Sequence, residues 1–348
     1  MRAARTGAAR ARRGTPIAVA VGGLALAASV LVQTVPATGL PPAPADPSAG
    51  TGRGTAAGVS ADRVPGAGRA RPAAERERCA DGSDPAGSLR PSAEAGPAVR
   101  RVREAGRLVV GVDQNSYLWG YRDPSSGRLT GFDIDLVRAV AEDLLGKDPE
   151  IVYKTVPTDQ RIPAIERREV DMVVRTMSIT CERLADVAFS TAYFEAGQQI
   201  LAPRSSPVTG FDGSLSGRRL CTAAGSTAQT LLEKDARGAR PVYVRHQLDC
   251  LVRLQLGEVD AVMTDSALAA GQAAQDPSVH LVGEPLTVEP YGIAMNLGDE
   301  DLVRRVNKVL DDYRRGGEDS PWMAAYNRWL ADKMEIAEPA PPDPVYRD

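Results

Sequence analysis

Histidine, lysine and cysteine are scarce in this sequence. Of its 348 residues, two are histidine (His246 and His280), five are lysine and four are cysteine. With so few imidazoles and no cysteines at zinc-site spacing, a metal centre is not expected. Charge of one sign is lacking too: the formal net charge is -3, so nothing points to nucleic acid as a partner. No Gly-x-Ser-x-Gly elbow and no Cys–His pairing is present, which removes the common nucleophilic hydrolases. The basic residues are nearly all arginine, and alanine, glycine and proline are abundant. That pattern fits a GC-rich genome and carries no mechanism.

Large apolar residues are thin over the first 97 positions, with one exception. Arg2, Arg5, Arg10, Arg12 and Arg13 precede an apolar run from Pro16 to Val32, followed by small residues at Val35-x-Ala37. Basic, apolar and small-residue regions in that order make 1–37 a secretory signal. An uncleaved signal anchor is the alternative, because the run approaches the roughly 20 residues that span a bilayer. Both place the body outside the cytoplasm, secreted or tethered at its N-terminus. Residues 38–97 read as a disordered Ala/Pro/Gly-rich tether, too poor in large apolar side chains to offset chain entropy. Residues 334–348 form a Pro-rich tail. Cys79, Cys181, Cys221 and Cys250, in an exported chain, favour two disulfides, for which three connectivities exist.

Between these ends, strand and helix patterns alternate. Arg107–Val112 is a short apolar strand. Asp133 is expected to N-cap a helix whose apolar face carries Ile134, Val137, Val140, Ala141, Leu144 and Leu145. A strand at 151–153, a helix from Gln160 to Arg168 and a strand from Val170 to Val174 follow, predicting an α/β fold with a mainly parallel sheet. One pattern occurs twice. A helix, then Glu169-Val170-Asp171, an apolar strand and a polar loop are matched 89 residues later around Glu258-Val259-Asp260. Two similar lobes, each ending a strand in a polar loop, would place both loops in one cleft, since ligands of open α/β sheets lie beyond the strands' carboxyl ends.

The ordered motifs Val110-Gly-Val-Asp113, Gly131-Phe-Asp-Ile-Asp135, Arg161-Ile-Pro-Ala-Ile165, Thr176-Met-Ser-Ile-Thr180 with Glu182-Arg183, Gly225-Ser-Thr227, Thr264-Asp265 and Tyr291-Gly-Ile-Ala294 resemble a known family. It is the extracytoplasmic solute-binding proteins, family 3, which serve ABC importers of polar amino acids; the nearest likeness is to its actinobacterial glutamate- and glutamine-binding branch. The resemblance spans about 108–330. It implies a two-lobed periplasmic-binding-protein (type II) fold, with lobe 1 at 98–195 plus 292–333, lobe 2 at 196–291, and a hinge of two crossings. It also implies a Cys221–Cys250 disulfide, leaving Cys79 and Cys181 as the second pair. Lipoprotein anchoring, frequent in that branch, lacks a cysteine near the end of the apolar run.

A zwitterionic ligand needs donors for its α-carboxylate and acceptors for its ammonium. By the resemblance, Arg183 holds the α-carboxylate, Ser178 donates to it, and Thr176 bonds either group. Asp265 takes the ammonium. Gly225 and Thr227 open a helix whose free N–H groups suit an anion. The plain readings beside these are turn chemistry at 176–180, capping at 225–227, and an N-cap at Asp265. Arg161 and Arg175 are candidates for holding a side-chain carboxylate, which favours glutamate or aspartate over the amides. Asp113, were it to line the pocket, would oppose this. Tyr117 and Trp119 are candidates for an aromatic wall, or for core. The partners expected are a free amino acid and a membrane permease or membrane sensor, with the chain a monomer, no cofactor and no enzymatic role. On the same fold, a lyase or lytic enzyme would rest on an acid such as Glu182, Glu195 or Asp265.

Overall fold

The computed structural model describes residues 76–334, 336 and 338–348, so the signal segment and the tether up to residue 75 lie outside the described residues. The first lobe begins with α1 (Pro97–Ala105), β1 (Arg107–Val112), and three short strands, β2 (Asn115–Ser116), β3 (Gly120–Arg122) and β4 (Leu129–Thr130). Next come α2 (Phe132–Leu145), β5 (Glu150–Thr155), α3 (Arg161–Glu166), β6 (Met172–Val173) and β7 (Val187–Phe189). After β8 (Phe194–Ala196), the second lobe runs through β9 (Gln198–Pro203), β10 (Arg219–Ala223), α4 (Thr227–Lys234), β11 (Arg240–Val244), α5 (Gln247–Gln255), β12 (Ala261–Asp265), α6 (Ser266–Gln275) and β13 (Val279–Val282). The chain returns by β14 (Glu289–Tyr291) to β15 (Ala294–Asn296), α7 (Glu300–Arg314), α8 (Pro321–Trp329) and α9 (Ala331–Met334).

Each lobe is built on one five-stranded sheet, ordered β5-β1-β6-β15-β7 in the first and β11-β10-β12-β9-β13 in the second. β8 and β14 pair antiparallel, Glu195 facing Pro290, and carry both crossings between the sheets. The twofold Glu-Val-Asp pattern has a structural cause. In lobe 1, Asp171 accepts from the Val109 N–H through its carboxylate at 2.9 Å and donates its own N–H back to Val109 O at 2.8 Å. In lobe 2, Asp260 does the same with Arg219, at 2.7 and 2.8 Å. Each aspartate thus fastens its strand to the start of the central parallel strand.

Three expectations are corrected. Asp133 is not the N-cap of α2: Gly131 is, with φ 124°, and a Cβ there would lie 2.2 Å from Trp119 O, so only glycine fits. Asp133 falls in the first turn, buried. Second, the helix and strand expected at 160–168 and 170–174 are shorter; a 3₁₀ turn at Thr158–Gln160 supplies the start of the helical run. Third, residues 76–97 are not a loose tether. Ala86 and Leu89 are buried, Ser88 Oγ donates to Phe189 O at 2.6 Å, and Asn307 Nδ2 donates to Leu89 O at 2.6 Å. The C-terminal tail packs beside them, Arg347 N–H donating to Ser88 O at 2.9 Å. Composition alone missed this because the segment is held by polar contacts to lobe 1 and by the Cys79–Cys181 disulfide. Both disulfides, Cys79–Cys181 and Cys221–Cys250, are formed.

Candidate functional site

The cleft between the lobes is nearly shut, with about 20 Å³ of free space, and is lined by Arg161, Arg175, Ser178, Arg183, Thr227 and Asp265 among others. Lobe 1 supplies three arginines from two places: the start of α3 and the loop after β6. All three are buried, with Arg161 4% and Arg183 8% exposed. Arg175 is neutralised locally, its Nη2 lying 2.9 Å from Asp113 Oδ2 while Nη1 donates to Thr158 Oγ1 at 3.0 Å. Ser116 Oγ also donates to Asp113, at 2.7 Å. Asp113 is therefore spent on Arg175 and Ser116, and the Arg175 guanidinium holds its carboxyl below the usual range against the upward push of burial.

Arg161 and Arg183 have no such partner. Arg161 donates to Thr158 O at 2.9 Å and to Gly225 O at 3.2 Å; Arg183 donates to Ser178 O at 2.7 Å and to the same Gly225 O at 3.1 Å. Among the described residues neither forms an ion pair. Burial, reinforced by the neighbouring Arg183 and Arg175, disfavours the charged form of Arg161, and burial does the same to Arg183. Because a guanidinium keeps its proton in proteins, such a pair calls for anions. Gly225 joins the lobes: it adopts φ 73°, and a Cβ there would lie 2.7 Å from Asp159 Cα of lobe 1.

Across the cleft stand acceptors. Asp265 occupies the N-cap position of α6 but makes no capping bond. Its carboxylate accepts instead from Tyr291 Oη at 2.6 Å and from the Gln198 amide. Burial and the nearby Glu289 charge push its pKa up to about 7. Asp133, behind the cleft, is likewise pushed up to about 7 by burial, although Tyr193 Oη at 2.9 Å and the Thr176 N–H at 3.2 Å both donate to it. Thr176 lies at φ 38° with its N–H spent on Asp133. At the head of α4, Ser226 Oγ accepts the capping bond from the Gln229 N–H, while the Thr227 hydroxyl, at the cleft wall, donates to Glu289 and accepts from Gln198 Nε2 at 3.0 Å.

Two sequence candidates lie elsewhere. Trp119 is 0% exposed, donates through Nε1 to Ala267 O at 3.1 Å, and packs edge-on against Phe194 and Tyr291; it is core, not wall. Tyr117 stacks edge-on with Tyr121 beside the cleft and does not line the arginine pocket. Two residues went unremarked in the sequence: Glu289 on β14 and Gln198 on β9. Glu289 accepts from Ser178 Oγ and Thr227 Oγ1, each at 2.7 Å, from Thr287 Oγ1 at 3.0 Å and from Gln198 Nε2 at 3.2 Å. A signal was present, since each is a polar residue that opens a strand, Glu289 ahead of Pro290 and Tyr291, and Gln198 ahead of Ile200, Leu201 and Ala202.

The sequence profile of the bacterial extracellular solute-binding proteins, family 3, matches residues 108–332. The chain is 32% identical to the ABC transporter glutamine-binding protein GlnH of Bacillus subtilis (strain 168), over 66% of this chain and 83% of that protein. It is 27% identical to the L-glutamate/L-aspartate-binding protein of Pseudomonas aeruginosa, over 70% of this chain and 81% of the relative. An ancestral arginine-binding protein bound to glutamine superposes with a TM-score of 0.60 at 34% identity, covering 65% of this chain and 98% of that one. No helix among the described residues is long and apolar enough to cross a membrane.

Proposed function

Since the chain belongs to the bacterial extracellular solute-binding proteins, family 3, we propose that it binds a free amino acid between its lobes outside the cytoplasm and delivers it to an ABC permease. The fold is the two-lobed one of periplasmic amino-acid-binding proteins, and closure of such lobes on a ligand is a population shift toward the closed form.

Glutamate or aspartate is the ligand we assign. The carrying observation is the pair Arg161 and Arg183, both buried and both bonded only to backbone carbonyls. In this reading Arg183 takes the α-carboxylate and Arg161 the side-chain carboxylate, bidentate pairing being what a guanidinium is shaped for. Asp265 takes the ammonium. Asp113 does not stand against an acidic ligand, because Arg175 already offsets its charge. The glutamine-binding relative supports glutamine as the competing ligand, and Arg161 separates the two. In Arg161→Ala, glutamate affinity should fall by about thirtyfold or more, as when a buried charge pair loses one member, while glutamine affinity falls less. Unchanged glutamate affinity would remove the acidic assignment.

A sensor that reports amino-acid levels to a membrane partner is the second reading. It draws on Arg76, which pairs with Glu195 at 2.5 Å and bridges Val288, so the N-terminal segment touches both hinge crossings. Co-purification of the full chain with a permease would favour import over sensing.

A further inference from the structure

We propose that Glu289 is a specificity-determining positioning residue, which turns the Ser178 and Thr227 hydroxyls so that the Asp265 side of the cleft admits an ammonium and rejects a carboxylate. The inference rests on the amino-acid-binding reading and refines it. A hydroxyl carries one proton. Ser178 and Thr227 both commit theirs to the same Glu289 oxygen, each at 2.7 Å. Both hydroxyls line the cleft, and what they have left to offer is lone pairs, one of Thr227's two already accepting from Gln198 Nε2 at 3.0 Å. Asp265, beside them, is acceptor-only when ionised. The three together form an all-acceptor subsite that suits a group with three donors and no acceptor.

Glu289 is placed to do this. It sits on the hinge strand β14, with Ser178 in lobe 1 and Thr227 at the head of α4 in lobe 2. One carboxylate oxygen thereby gathers a proton from each lobe. Gln198 Nε2 lies between the two acids, donating to Asp265 and, at 3.2 Å, to Glu289, which eases their mutual repulsion. Ser178 is consequently an acceptor for the ammonium in place of the carboxylate donor that the resemblance implied, and the ligand's carboxylates fall to Arg161 and Arg183. Replacing Glu289 by glutamine would put an amide N–H₂ within reach of both hydroxyls. Their protons would then be free to turn toward the ligand.

The test compares L-glutamate with glutarate, which keeps both carboxylates and lacks the ammonium, and L-glutamine with glutaramate. Calorimetric titration of the full oxidised chain should give a preference for the amino acid of about a hundredfold or more in each pair that binds, the size expected when buried acceptors are left without their charged donor. In Glu289→Gln that ratio should shrink by at least about tenfold, with affinity for the ammonium-free analogue unchanged or improved. Ser178→Ala, which removes one acceptor from the cleft and keeps the Glu289 carboxylate, should shrink it in the same direction. A Glu289→Gln protein with the wild-type ratio would overturn the proposal. So would a Ser178→Ala protein that loses analogue and amino acid equally, because Ser178 would then serve the carboxylate. Wild-type protein that binds neither pair would overturn the amino-acid reading itself, and the proposal with it.

Discussion

Asp265 and Asp133 are both enclosed carboxylates pushed up to about 7, and they differ in what they face. Asp265 lines the cleft, whereas Asp133 holds Tyr193 and the Thr176 backbone behind it. A folded-state pKa above the unfolded one means that the native state binds the extra proton. Each therefore favours the fold most below about pH 4, and that contribution is lost as pH rises toward 7. Ligand affinity runs the other way, because an ammonium wants Asp265 ionised. Between pH 7.5 and 5.5 glutamate binding should weaken, approaching tenfold per unit below the pKa. Near pH 7 binding should also release a fraction of a proton, seen as a buffer-dependent heat. Asp265→Asn should bind weakly and flatten the profile; an unchanged profile in that variant would assign the titration to Asp133.

At this scale the sequence was legible where a motif fixed a residue at a strand end. Asp265 ends β12 and lines one cleft with Arg183, which stands in the 3₁₀ turn before β7. It was not legible where the deciding partner is remote. The partners of Glu289 lie 111 and 62 positions away at Ser178 and Thr227, and no local pattern ties them together. Trp119 was ambiguous because an aromatic two residues past a polar loop fits wall and core equally; burial against Phe194 and Tyr291 decided it.

Elements were easier to read than residues. Apolar periodicity marked α2 and β1, and the repeated Glu-Val-Asp marked two lobes because the aspartate makes the same backbone clasp in both. The docked segment 76–97 escaped, being held by polar bonds and the Cys79–Cys181 disulfide. Cys221 on β10 and Cys250 on α5 are both fully buried and tie helix to strand across a separation of 29 residues. Replacing both with alanine should cost roughly 3 to 4 kcal/mol by loop closure. Urea unfolding of the double variant checks this, and a loss well under 1 kcal/mol would mean that the denatured chain is already compact in this region.

For the whole molecule, the determining feature is that the lobes meet through polar groups left over for a ligand. Arg161 and Arg183 reach from lobe 1 to one carbonyl of lobe 2, Gly225 permits the approach, and Glu289 collects a hydroxyl from each side. A ligand that supplies carboxylates to the first set and an ammonium to the second would hold the lobes together more strongly than these bonds alone. It would bind the native state and not the unfolded chain, so it must raise the unfolding midpoint by an amount set by its concentration relative to Kd.

The most direct measurement is therefore thermal unfolding of the oxidised chain with each common amino acid added in turn, alongside Arg183→Ala. The account predicts a rise in midpoint with glutamate and aspartate that is absent in the variant. No rise with any amino acid, or the same rise in Arg183→Ala, would contradict it.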